Sequence, residues 1–214
     1  DINKLAECRE KIRDASHLLL ELINEVLDMG KLESGEIMLE EVPFNLHDIE
    51  QSVLKVIEKM AEERKIEIIQ DNIGVAHWNL IGSPVYVKRI MMNFISNAVK
   101  YNKEHGKIML RCREISTEGD TAVFEFTCRD TGIGMSREFQ EHLFEPFTQE
   151  RVGGYSKYGS TGLGMSITMA LVKRMGGDIT FESEKDKGTT FVITIPFKID
   201  AEKREAEQKA KKSV

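Results

Sequence analysis

No apolar run in the sequence approaches the roughly 18 residues of a membrane span, and no charged-then-apolar leader opens the chain. Positive charge is not in excess either. Thirty Lys and Arg stand against 36 Asp and Glu, a net charge of -6 with a pI near 5.5, so no basic footprint points to nucleic acid or an anionic membrane. Cysteine is scarce: there are three, an odd number without C-x-x-C spacing. Two of them, Cys112 and Cys128, fall in strand-like runs where a thiol serves as a small core residue. These absences favour a reducing, cytoplasmic setting, with any membrane attachment supplied by segments outside these residues. The first residue is Asp rather than Met, and the chain is expected to be a piece of something longer.

What is there suffices for one good core or two modest ones: 214 residues, 41% of them hydrophobic. From Leu5, positions 5, 8, 12, 15, 19, 22, 26 and 29 read Leu, Cys, Ile, Ala, Leu, Leu, Val, Met in steps of three and four. That is the seam of a coiled coil or helical bundle, widened by Leu18, Ile23 and Leu27. One helix cannot bury such a stripe, so it calls for partners upstream or from a second copy. Gly30 suggests its end, and Gly35 and Pro43 suggest a linker containing a short strand at 37–39. The expected divisions are a bundle helix at 1–34, a linker at 35–47, a domain at 48–198 and a charged tail at 199–214. Within the domain, 49–64 and 163–175 read as helices, and Ser83-Pro84 as the cap and first residue of a third. Residues 66–70, 108–115, 122–129, 179–183 and 189–195 read as strands. The sum is an α+β fold, a mixed sheet covered on one face by helices.

Three segments carry polar chemistry. In NFISNAVKYN, Asn93, Asn97, Lys100 and Tyr101 share one helix face beside a core. Amide oxygens there suit Mg²⁺, and the lysine suits a phosphate; alternatively, the asparagines cap neighbouring backbone. DTGIGM sets Asp130 at a strand end with Gly132 and Gly134 beside it. A carboxylate at a pocket floor accepts from N–H donors such as adenine's amine, and glycines let a flat ring approach the backbone; alternatively, the segment is a common turn. GGYSKYGSTGLG places five glycines before a helix, where free backbone N–H groups and the dipole attract phosphate; alternatively, it is a surface loop.

The ordered set NFISNAVKYN, DTGIGM, FEPF, GSTGLGM, GTT resembles the catalytic and ATP-binding domain of sensor histidine kinases, over residues 44–197. The stretch HLLLELINEVLDMGKLESGEIMLE resembles the second helix and exit linker of that family's dimerisation and phosphotransfer domain. The resemblance implies the Bergerat ATP fold, a two-layer α/β sandwich. It implies that Asn93, Asn97, Lys100 and Tyr101 contact Mg²⁺ and phosphates, with Asn97 and Asn93 as metal ligands and Asn93 and Lys100 as catalytic candidates. It makes Asp130 the adenine reader, with Gly132 and Gly134 beside it. Phe144 and Phe147 match the aromatic box anchoring a lid over ATP. Gly159, Thr161, Gly162, Leu163 and Gly164 match the second glycine box, Lys157 is a lid contact to phosphate, and Thr190 belongs to the last box.

The family's acceptor motif, His followed by an acidic residue and then Arg-x-Pro, is missing: His17, His47, His77, His105 and His142 all fail it. The resemblance therefore implies transfer of the ATP γ-phosphate to a histidine outside these residues. Asn93 stands where related ATPases have a water-activating Glu, which disfavours hydrolysis. Two alternatives are a gyrase-like ATPase or serine kinase of the same superfamily, and a catalytically silent nucleotide-binding scaffold. The partners implied are a second copy through the bundle and a response-regulator receiver domain.

Overall fold

Alternation of buried and exposed residues is strictest around residue 125, and there it builds the middle of a sheet. The computed structural model describes residues 2–36, 38–150 and 161–203. In it β5 (Thr121–Asp130) buries Ala122, Phe124, Phe126, Cys128 and Asp130, every second residue, as a pleated strand covered on one side must. It pairs antiparallel with β4 (Lys107–Glu118) and β7 (Gly188–Ile199). The full order is β1 (Val42–Asn45), β3 (Asn79–Gly82), β7, β5, β4, β2 (Glu67–Asn72). The seventh strand, β6 (Asp178–Glu184), pairs with residues 188–194 of β7, whereas β3 takes residues 198–199 of that strand. Among the described residues only β2 and β4 pair in parallel.

Helices α2 (Leu46–Glu62), α3 (Pro84–Lys100) and α5 (Gly164–Arg174) cover one face. Val53 and Ile57 of α2, Ile90 and Phe94 of α3, and Ile167 and Leu171 of α5 share a core with Phe124, Ile193 and Ile195 of the sheet. The other face carries the pairs Arg111–Asp71 at 2.6 Å and Arg113–Glu125 at 2.5 Å, a solvated surface. The mixed sheet with one covered face is thus the expected two-layer sandwich. Cys112 and Cys128 are both buried, as expected for thiols that act as core residues.

Ahead of the sandwich runs α1 (Ile2–Glu33), about 48 Å long at 1.5 Å per residue. Its Met29 and Leu32 pack against the core, whereas Ile12, Leu19, Ile23, Val26 and Leu27 are exposed. A short α4 (Arg137–Glu141) follows β5. Among the described residues no helix is long and apolar enough to cross a membrane.

Several boundaries move. Gly30 lies inside α1, which ends three residues later. The short strand expected at 37–39 is instead β1: residues 38 and 39 are not strand, and Ile37 lies outside the described residues. Phe44 decides the register, packing edge-on to Phe197 at 5.7 Å, and Pro43 is tolerated because β1 is an edge strand. His47, expected in the linker, sits in the first turn of α2, capped by Asn45. Ser83 precedes α3 with Pro84 as first residue, but its hydroxyl makes no capping bond and is buried without a partner among the described residues.

Candidate functional site

A cavity of about 790 Å³ opens between α3, α5, the loop after β5 and the last turns of α1. Its floor is Asp130, at the C-terminal end of a central strand and buried to 8% exposure. One carboxylate oxygen, Oδ1, accepts from the Gly132 N–H at 2.7 Å and the Thr189 N–H at 3.2 Å. Among the described residues Oδ2 has no such bond and remains for a ligand. Burial pushes the carboxyl upward from its ordinary pKa, and the two backbone donors act against that shift. An ionised acceptor held by its own loop fits a ligand that brings an N–H donor.

The glycines of this loop serve a tighter purpose than ring access. Gly134 has φ of +57°, and a Cβ there would lie 2.0 Å from the Glu184 carbonyl oxygen, so only glycine lets the loop pass the β6–β7 turn. Gly132 lies under the C-terminal turn of α3, where the Tyr101 carbonyl accepts the Ile133 N–H at 3.0 Å. The Asp130 loop and the α3 stripe are thereby locked together.

On that stripe, Asn93, Asn97, Lys100 and Tyr101 all line the cavity. Asn93 Nδ2 donates to Thr168 Oγ1 at 2.6 Å, and Asn97 Nδ2 points at Met165 Sδ at 3.4 Å. With both nitrogens turned to α5, the amide oxygens are the groups left for a cation. They differ in access: the Asn93 oxygen abuts Gly164, where a Cβ would come within 2.5 Å of it. The Lys100 ammonium lies 5.5 Å from the centre of the Tyr101 ring. Among the described residues no cluster of three His, Cys, Asp or Glu could hold a metal alone. A Mg²⁺ here would therefore draw on an amide oxygen, water and ligand oxygens, a donor set it accepts.

The second glycine box is only partly described, because Gly159 lies outside the described residues, as does Lys157 of the lid. Thr161, Gly162 and Gly164 line the cavity at the start of α5. The Thr161 hydroxyl accepts the Leu163 N–H at 3.1 Å, leaving the next backbone donors of α5 without intrahelical partners. Leu163 itself is fully buried and anchors this turn to the core.

Four expected residues do not line the cavity: Gly132, Leu163, Thr190 and Phe147. Thr190 points to the opposite side of β7, while Thr189 lines the cavity and lends Asp130 its N–H, since adjacent strand residues face opposite ways. Phe147 is 66% exposed; its backbone N–H donates to the Gly162 carbonyl at 3.1 Å, so it acts through the main chain. Phe144 packs edge-on to Phe181 at 5.7 Å.

Other groups escaped the sequence reading. Arg64 donates to three carbonyls at the end of α3: Val99, Lys100 at 2.6 Å and Asn102 at 2.7 Å. Buried Asn102 accepts from Thr131 Oγ1 at 3.3 Å and donates to the Lys107 carbonyl at 3.2 Å, tying α3 to the Asp130 loop. Glu25 and Asp28 of α1 and Arg89 of α3 also line the cavity. Arg89 was findable, since it continues the stripe one turn before Asn93.

A family model described as histidine kinase-, DNA gyrase B- and HSP90-like ATPase matches residues 82–199. The sensor histidine kinase GacS of Pseudomonas protegens is 33% identical over 184 residues, 86% of this chain and 20% of GacS. The crystal structure of full-length ShkA in complex with AMPPNP matches with a TM-score of 0.72 at 27% identity, covering 87% of this chain and 37% of ShkA. That of the histidine kinase ThkA in complex with the response regulator protein TrrA matches at 0.65 and 21% identity, covering 86% and 49%. The chain thus spans a fifth of the length of GacS. Its boxes close around one cavity and the match extends over residues 82–199, more than half of the sequence, so the chain belongs to the histidine kinase-, DNA gyrase B- and HSP90-like ATPases.

Proposed function

We propose that this chain is the ATP-binding catalytic portion of a two-component sensor histidine kinase. It holds ATP for transfer of the γ-phosphate to a histidine on a helical bundle outside these residues. The observation that carries the reading is the single cavity that unites the α3 stripe, Asp130 and the start of α5. In this reading Asp130 Oδ2 accepts the exocyclic amine of adenine, and Tyr101 covers the base. Lys100 and the α5 N-terminus face the phosphates. The Asn97 oxygen, with Asn93 as second donor, would hold Mg²⁺, which would supply charge neutralisation for phosphoryl transfer.

The residues themselves position and exclude. Asn93, fixed by Thr168, cannot accept a proton, so it orients without activating water, and transfer to an imidazole is favoured over hydrolysis. The lid, whose Lys157 lies outside the described residues, is proposed to cover the ligand, with Lys157 as a phosphate contact. The exposed face of α1 supports pairing with a second copy, because a stripe of five large apolar side chains needs cover. A response-regulator receiver is proposed as the phosphoryl acceptor downstream; the solved ThkA–TrrA complex supports that partner class.

The test uses the longer protein with its acceptor helix and ATP labelled at the γ-phosphate. An acid-labile, alkali-stable protein label is the expected result. An alkali-labile label, or steady phosphate release without labelling, contradicts it and favours the serine-kinase or gyrase-like alternative.

A further inference from the structure

The α3 stripe has a direction. Tyr101 at its C-terminal end abuts the Asp130 loop through the Ile133 N–H. Arg89 lies about 16 Å back along the axis from Lys100, one turn before Asn93 and on the same face. It lines the same cavity. For a nucleotide whose base sits on Asp130, that far end is where the terminal phosphate reaches.

The groups gathered there are anion-seeking and already matched to anions. The Arg89 guanidinium, 31% exposed, pairs with the Asp28 carboxylate of α1, 25% exposed. One turn earlier on α1, Glu25 accepts the hydroxyl of Thr161, at the start of α5. Two carboxylates from one helix face thus engage a cation and a hydroxyl donor at the end of the cavity away from Asp130. A guanidinium binds a phosphate by the same planar fork that binds a carboxylate, and a terminal phosphate offers more charge and more oxygens.

We propose that Arg89 is a terminal-phosphate contact of this site and that Asp28 is the anion it exchanges for that phosphate. The inference rests on the nucleotide reading above. The exchange breaks the Arg89–Asp28 pair and so loosens α1 from α3. A triphosphate drives it, whereas a diphosphate, ending short of Arg89, leaves the pair intact. Site occupancy is thereby linked to the helix that carries the exposed apolar face.

Calorimetric titration of this chain with Mg²⁺-ADP and Mg²⁺-AMPPNP separates the contributions. Arg89→Ala is expected to weaken AMPPNP roughly tenfold or more, the scale of one charge-assisted hydrogen bond, while ADP affinity stays within about twofold. Arg89→Lys retains part of the loss, and Asp28→Asn, which keeps the side-chain shape, strengthens AMPPNP several-fold with ADP unchanged. Equal effects on both ligands, or none, overturn the assignment and leave Arg89–Asp28 as a structural pair. Failure of the unsubstituted chain to bind ADP overturns the nucleotide reading, and the Arg89 assignment with it.

Discussion

Asp130 carries a tension between stability and binding. Its burial raises the carboxyl pKa, so the ionised form costs folding stability at pH values above that raised folded pKa. The proposed adenine contact needs that same ionised form. The sign follows: as pH falls through the raised value, the folded state gains a proton before the unfolded chain does and stability is not lost, but adenine affinity is. ADP affinity is therefore expected to decline while the pH is still above about 4, the ordinary carboxylate range, as followed by titration at descending pH. Affinity unchanged down to that range would contradict the assignment. Asp130→Asn keeps an oxygen for the Gly132 and Thr189 donors and turns an NH₂ towards the ligand. It should lose about ten- to a hundred-fold in ADP affinity, roughly 1.5 to 3 kcal/mol, without lowering the melting temperature.

Gly164 makes the complementary case. Alanine there would gain helix propensity of up to about 1 kcal/mol, but its Cβ would meet Asn93 Oδ1, and Asn93 is held from behind by Thr168. Melting temperature is expected to hold within a few degrees while Mg²⁺-dependent nucleotide affinity drops; unchanged affinity would separate Asn93 from the site. At this scale the sequence was legible wherever chemistry follows from spacing on one element. The stripe of Asn93, Asn97, Lys100 and Tyr101 is the example. It was not legible where a choice depends on strand register, as between Thr189 and Thr190. Nor did it show that Gly134 is required by the protein's own Glu184 carbonyl rather than by a ligand.

Among the elements, α3 is the one on which the site depends, and its two ends differ. At the start, the Ser83 hydroxyl, without a partner among the described residues, contributes no cap, so Ser83→Ala should not lose the ~1 kcal/mol of a working N-cap and, by removing a buried unpaired hydroxyl, should raise stability by about 1 kcal/mol or leave it unchanged. At the end, the Arg64 guanidinium satisfies three carbonyls and opposes the negative end of the helix dipole. Arg64→Met should cost about 2 kcal/mol or more in denaturant unfolding. A loss below about 0.5 kcal/mol would show that these bonds are not maintained in solution. The long helices and the strands of the central sheet were readable because their periodicity runs for several repeats. The four-residue strands β1 and β3 were not, since four residues carry almost no period and their register comes from contacts such as Phe44 with Phe197.

For the whole molecule, the sandwich is complete in itself and α1 is not. The exposed Leu19, Ile23, Val26 and Leu27 form a surface that a second copy would cover. Light scattering should show dimer at micromolar concentration, and Ile23→Glu with Val26→Glu should give monomer with unchanged ADP affinity. A parent chain that stays monomeric would remove the bundle from the account. The proposed function requires distant segments to meet in one nucleotide cavity. A crystal structure of the chain with Mg²⁺-AMPPNP tests this most directly. The adenine amine is expected within hydrogen-bond distance of Asp130 Oδ2, the metal on the Asn97 oxygen and the phosphates along α3 towards Arg89. Nucleotide bound elsewhere, or in the cavity with its base away from Asp130, would contradict it.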